Sequence, residues 1–169
     1  MYMKIGIYDV INDPLPKLLL IKEISVKESD FKDEEKIVNI MNNHIKMDKL
    51  TSENVYVLGL TNSLYPKGIV HVSTGNCNHV EIDYRKMSIG LLLIGAEQFM
   101  CFHNHPGYSR EITLGDRCVT NKYIEISELL EINFIKHIMI TKDYYGECDE
   151  ISTEEMIEEV KRNERKNRK

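Results

Sequence analysis

The sequence predicts an α/β domain in which helices cover a mixed β-sheet in layers. Three observations lead to this prediction. Strand-like and helix-like segments alternate along much of the chain, which is typical of a sheet packed between helices. The length of 169 residues suits one domain with a full hydrophobic core. Hydrophobic residues make up 42% and charged residues 29% of the chain, as in ordinary folded globular proteins.

Residues 1–50 are expected to form two strands and a helix, as part of the main domain or packed on it. The segment 1–10 has the alternating character of a strand, and 16–24 reads as a second strand after two prolines. Ser29 or Asp30 can cap the helix that follows. Its residues at helical spacing are Ile37, Ile40, Met41, His44 and Ile45. We expect the histidine in this stripe to be a packed helix residue rather than a metal ligand.

The segment 51–150 is expected to form the main α/β domain. Its first part, 52–62, is rich in β-branched and aromatic residues, and 67–75 has the same character, so both predict strands joined by a turn. A mostly apolar helix is predicted over 85–99. A short apolar strand follows at 99–103.

The last elements complete the expected order. An amphipathic helix is predicted from Asp116 to Glu131, followed by a buried strand at 134–141 and a short one at 143–148. The segment 151–169 is acidic first and then strongly basic, which is typical of a solvated charged tail with at most a frayed helix. The chain is therefore expected to run β-β-α-β-β-α-β-α-β-β.

Composition restricts the class of protein. The formal net charge is -5, which argues against a dominant phosphate-binding surface but leaves room for a local basic patch. The four cysteines form no Cys-x-x-Cys pair, so neither a zinc ribbon nor a disulfide framework is predicted. A reducing cytoplasm is expected, since no signal peptide is recognisable. No membrane contact is expected, because the longest apolar run, Ile89 to Ala96, is too short to cross a bilayer.

The stretch from Phe102 to Asp116, FHNHPGYSREITLGD, carries most of the chemistry. His103 and His105 lie at the end of a predicted strand, and alternate strand residues point to the same side, so both imidazoles can face one ion. Thr113 and the aspartate have the form of a capping box at the start of a helix. Two histidines and one carboxylate leave a coordination position open, as in catalytic zinc sites, and the same set also binds non-haem iron.

Several alternatives stay open on the residues alone. A hydrolytic site needs a base, and Glu53 and Glu81, both on predicted strands, are equal candidates. Cys77 and His79 can instead join the two histidines in a closed structural site, although their spacing is unlike that of structural zinc sites. The zinc-deaminase signature, the Walker loop and the G-x-G-x-x-G fingerprint are absent. In HNH nucleases the three residues are dispersed over a long motif, so the contiguous letters H-N-H are a coincidence.

The run His103-Asn104-His105-Pro106 is followed by Thr113 and Asp116, with seven residues between the second histidine and Thr113. The order and spacing of these residues resemble the JAMM metal signature of JAB/MPN domains. Within that superfamily, FHNHPG is most similar to the RadC-like branch. The flanking stretches SENVYVLGLTNSLYPKGIVHVSTG and LLEINFIKHIMITKDYYGE are also similar, so the resemblance covers about 52–147. It implies a cytidine-deaminase-like layered α/β sandwich. It also implies a zinc ion (Zn2+) held by His103, His105 and Asp116.

The same resemblance implies roles for the remaining residues. It places Glu53, not Glu81, as the general base. Thr113 stands where the family has a serine whose hydroxyl helps hold the oxyanion or position the water. His137 matches a family histidine and is expected to be a packed strand residue or a partner of a ligand.

The expected function is zinc-dependent hydrolysis of a peptide or isopeptide bond through a water activated by the metal, with an unidentified protein or peptide as substrate. The alternative is a DNA repair-associated accessory or DNA-binding module without protease activity. This alternative is suggested by the family's name and by the basic C-terminus.

Overall fold

A computed structural model describes the backbone of residues 1–167 and the side chains of residues 1–162. It confirms the predicted α/β class, with one mixed sheet and helices around it. The strands are β1 (Tyr2–Asn12), β2 (Pro16–Lys27), β3 (Asn54–Leu60), β4 (Pro66–Thr74), β5 (Gln98–Asn104), β6 (Asn133–Ile140) and β7 (Tyr145–Glu147). The helices are α1 (Glu34–His44), α2 (Tyr84–Leu93), α3 (Leu114–Leu130) and α4 (Thr153–Asn167).

The seven strands form a single sheet in the order β2-β1-β4-β3-β5-β6-β7. The pairs β1/β4 and β5/β6 are parallel, and the other neighbours are antiparallel. β3 and β5 therefore lie at the centre of the sheet, paired side by side. Their register sets Val55 opposite His103, so the start of β3 and the end of β5 meet at the same edge.

The core has two parts, one on each face of the sheet. On one face, α1 buries Ile37, Met41 and neighbouring apolar residues against the strands. On the other face, α2 and α3 cover the sheet with residues such as Leu91 and Tyr123. Fully burying one such side chain contributes about 1.5–3 kcal/mol.

Alternate residues of β5 face opposite sides of the sheet. One side, towards α2 and α3, takes Phe99, Cys101 and His103, and the other side, towards α1, takes Met100, Phe102 and Asn104.

The start of α1 differs from the prediction. Ser29 and Asp30 lie in a 3-10 turn, Glu28–Lys32, and the helix is capped by Asp33, whose side chain accepts from the Lys36 backbone N–H at 3.3 Å. Phe31 in the turn is buried at 2% exposure. Packing of this ring holds the turn as a separate element, which cap residues alone do not reveal.

The end of α2 also differs, because the helix stops at Leu93 rather than running to Phe99. Gly95 follows with φ +65°, a left-handed conformation that ends a helix and that glycine adopts without strain. The segment 153–167 forms α4, so the charged tail is helical where the structure describes it. Within residues 1–167, none of the helices is long and apolar enough to span a membrane.

Candidate metal centre

The end of β5 brings two imidazoles together. His103 is the last but one residue of β5, and His105 follows it with its backbone N–H bonded to the Ile140 carbonyl of β6 at 2.9 Å. The Nε2 atoms of the two histidines lie 3.1 Å apart. The intervening Asn104 points to the opposite face, as strand alternation predicts. His103 is buried at 4% exposure and His105 is half-buried, so only one flank of the pair is open.

The first turn of α3 supplies a carboxylate to the same place. Asp116 Oδ1 lies 3.2 Å from His103 Nε2, and Oδ2 lies 3.5 Å from His105 Nε2. The predicted capping box is present: Thr113 Oγ1 accepts from the Asp116 backbone N–H at 3.1 Å, and Asp116 Oδ2 accepts from the Thr113 N–H at 2.7 Å. The Thr113 hydroxyl also donates to Oδ2 at 2.7 Å. The helix start thus orients the carboxylate towards the histidines.

Electrostatics favour an anionic aspartate in this position. Burial raises the pKa of Asp116, but hydrogen bonds from His103 and His105 outweigh it and hold the pKa well below its ordinary value. The hydrogen bond with Asp116 in turn raises the pKa of His105, although burial opposes that shift. The carboxylate is therefore ionised at neutral pH and concentrates negative charge beside two nitrogen donors.

Glu53 faces this cluster from the start of β3. It immediately precedes the strand rather than lying on it, and its backbone is fixed on both sides: its N–H donates to the Asn76 carbonyl at 2.7 Å, and its carbonyl accepts from Gly75 at 2.8 Å. Burial raises its pKa, partly offset by the nearby His105 and His103. Among the described residues that line the cavity in front of the histidines, Glu53 is present and Glu81 is not.

Asn104 ties Glu53 to the histidines. Its side chain is fully buried and spans the residues on either side of Glu53: Oδ1 accepts from the Asn54 N–H at 2.9 Å, and Nδ2 donates to the Ser52 carbonyl at 3.0 Å. The residue between the two histidines therefore helps to fix the backbone on both sides of Glu53. Strand alternation predicts only that Asn104 points away from the histidines, because its hydrogen-bond partners are about fifty positions distant in the chain.

Two buried side chains lie behind His103. His103 Nδ1 is 2.7 Å from Nε2 of His137, and His137 Nδ1 is 2.8 Å from Thr120 Oγ1. Burial lowers the pKa of His137 well below its ordinary value, so this imidazole is neutral. The sequence singled out His137, whereas Thr120 was not predicted. A hydroxyl one helical turn after Asp116 is the signal that could have indicated Thr120, since residues four apart share a helix face.

The cavity in front of the cluster has a volume of about 330 Å³. Cys77 and His79, the alternative ligands, line its wall. Among residues 1–162, however, neither belongs to a group whose ligand atoms lie within 4.8 Å of one another, and the two groups that meet this limit both contain His103. The closed site with Cys77 and His79 is therefore not formed in this structure.

The two groups differ in what they offer an ion. The inner group, His103, His137 and Cys148, is completely buried, and burial raises the pKa of the Cys148 thiol, which disfavours the thiolate that binds metals. The outer group, His103, His105 and Asp116, faces the cavity. Two nitrogens and one ionised oxygen, open on one side, fit a zinc-like ion with a fourth position left for water or substrate.

The sheet order and the helices around it are consistent with a JAB-type fold. The family model of the RadC-like JAB domain matches residues 31–150. The chain therefore belongs to the RadC-like JAB domain family, and the match includes α1 as well as the segments that carry the candidate metal centre.

Proposed function

We propose that the protein is a zinc-dependent hydrolase that cleaves a peptide or isopeptide bond. The observation that carries this proposal is the outer group of His103, His105 and Asp116, which opens into a cavity that Glu53 also lines. A closed four-ligand centre would support folding alone, whereas three ligands beside an open cavity leave room for a reacting group.

Each residue has a distinct role in this proposal. His103, His105 and Asp116 hold the ion, which when bound polarises a carbonyl and lowers the pKa of a water molecule. Glu53, whose raised pKa makes it a stronger base than an exposed glutamate, accepts a proton from the attacking water and returns it to the leaving amine. The Thr113 hydroxyl fixes the carboxylate of Asp116 through the capping box.

Metal content tests the binding part of the proposal. We expect wild-type protein purified without chelators to hold close to one zinc per chain by elemental analysis. The double variant His103→Ala with Asp116→Ala should hold none, because one imidazole is a poor zinc site. Equal zinc in the two proteins would refute the centre. The variant His79→Ala is the matched control, since it removes a histidine from the same cavity and should keep the metal.

The variant Glu53→Gln tests the catalytic part. It preserves shape and removes the base, so zinc content should stay at the wild-type value while hydrolysis of peptide and isopeptide substrates falls by about 10²–10⁴-fold. Glu81→Gln should leave hydrolysis unchanged, since Glu81 lies outside the described cavity lining. Undiminished hydrolysis by Glu53→Gln would remove Glu53 from the mechanism.

A DNA-associated accessory role is the second candidate. The observation that favours it is the C-terminal segment 161–169, in which six of nine residues are Lys or Arg. Such a segment binds nucleic acid through phosphate contacts that weaken steeply with salt. A salt-dependent gel shift on single- or double-stranded DNA supports this role, and no shift at low salt counts against it.

A further inference from the structure

A chain of buried side chains leads away from the metal centre on its closed flank. It runs from His103 through His137 to Thr120 with contacts of 2.7 and 2.8 Å. The Thr120 hydroxyl also lies 3.0 Å from the carbonyl oxygen of Cys148 and 3.1 Å from that of Asp116. His103, His137 and Thr120 are 4%, 2% and 2% exposed, so bulk water does not substitute for a missing partner.

Hydrogen bonds along this chain can run in two directions. Running inward, the Thr120 hydroxyl donates to His137 and His137 donates to His103, so the remaining proton sits on His103 Nε2, facing Asp116. Running outward, His103 Nδ1–H donates to His137 Nε2, and His137 Nδ1–H donates to Thr120, whose hydroxyl donates to the Cys148 carbonyl. Only the outward direction leaves the lone pair of His103 Nε2 free to bind a metal.

We propose that Thr120 is a positioning residue that holds His137 and His103 in the outward tautomers once a metal ion replaces the Nε2 proton that His103 otherwise donates to Asp116. A carbonyl oxygen accepts hydrogen bonds and never donates them, so a hydroxyl directed at Cys148 can only accept from His137. Thr120 lies one helical turn after Asp116, so α3 supplies both a metal ligand and the end of the chain that orients another. The inference rests on the proposed metal centre.

Zinc affinity of Thr120 variants tests this role. Thr120→Val keeps the shape of the side chain and removes the hydroxyl, so the Nδ1–H of His137 loses its acceptor in a dry interior. We expect zinc affinity, measured by competition with a chromophoric chelator, to fall about 10–100-fold, as for other partners of metal ligands. Thr120→Ser restores the hydroxyl and should bind zinc nearly as tightly as wild type. A Thr120→Val protein with wild-type affinity would overturn the inference.

Imidazole ¹⁵N NMR of the zinc-loaded wild-type protein gives a readout that packing alone would not produce and that needs no variant to fold. The expected spectrum has His137 protonated at Nδ1, with Nε2 as an acceptor. Zinc binding with His137 protonated at Nε2 instead would overturn the role of Thr120 and leave the metal centre intact. Failure of the wild-type protein to bind zinc would overturn both, so the two proposals fail in different ways.

Discussion

At the scale of single residues, Asn104 has the position that most directly links the proposed metal ligands and the proposed base, Glu53. Its amide bonds the backbone on both sides of Glu53, while its chain neighbours are the two histidines. We expect Asn104→Leu to leave the buried Asn54 N–H without a partner and to lower the free energy of unfolding by about 1–3 kcal/mol. Zinc should be retained, and kcat should fall more than KM changes, because the backbone on both sides of Glu53 loses hydrogen bonds that position it.

Asn121 is a matched control for this prediction. Its amide bonds a backbone segment in the same manner, accepting from the Ile151 N–H at 2.9 Å and donating to the Ile151 carbonyl at 2.7 Å, but away from the cavity. Asn121→Leu should lower stability in urea unfolding to a similar degree and leave kcat unchanged. If both variants hydrolyse substrate like wild type, Asn104 has a structural role only.

At the scale of elements, the start of α3 combines a helix cap with a proposed metal ligand. Thr113→Ala removes the hydroxyl that accepts from the Asp116 N–H and donates to its carboxylate. We expect a loss of about 0.5–2 kcal/mol in the free energy of unfolding, as for other N-caps. Zinc affinity should also fall, because the carboxylate loses one of the bonds that orient it.

Thr113→Ser separates the hydroxyl from the methyl group in this experiment. Serine is an equally good N-cap, so stability and zinc affinity should both return close to the wild-type values. Chemical denaturation and chelator competition on the same protein samples measure the two effects together. A Thr113→Ala variant that loses stability but binds zinc as wild type would show that the cap and the metal centre are independent.

The bounds of the helices and strands also show which structural features the sequence predicts and which it does not. Local patterns were sufficient for β5 and the start of α3: alternation predicts that His103 and His105 share a face, and the Thr-x-x-Asp spacing predicts the capping box that the structure confirms. The predicted start of α1 and end of α2 were wrong by several residues, where the structure has a 3-10 turn with a buried Phe31 and a left-handed Gly95. Such tertiary and backbone effects outweigh propensity at helix ends.

Contacts between distant segments set the second limit. Nothing local to Glu53 distinguishes it from Glu81, and from the sequence only the family resemblance favoured Glu53. In the structure, Glu53 lines the cavity and Glu81 does not. The bonds from Asn104 to residues near Glu53 join positions about fifty apart, and those from His137 to Thr120 join two different elements. They depend on sheet order, which hydrophobic periodicity does not determine.

At the scale of the whole molecule, the candidate metal centre and the basic C-terminus lie on separate parts of the chain. The described side chains of α4, residues 153–162, are mostly exposed, whereas Ile151 just before them is 3% exposed and held by Asn121. Surface ion pairs such as Arg117 with Glu155 contribute little. The folded core is therefore expected to end near residue 152.

Deletion of residues 153–169 tests this division. It removes six basic and five acidic residues and changes the formal net charge from -5 to -6. We expect the thermal midpoint to shift by no more than about 2 °C, since loss of exposed groups changes stability by about 0.5 kcal/mol or less. Zinc content and hydrolysis should match the full chain, while any salt-dependent DNA binding should disappear with the basic residues. DNA binding that survives the deletion would place the contact on the domain itself, and loss of zinc would mean that the C-terminal helix supports the metal centre after all.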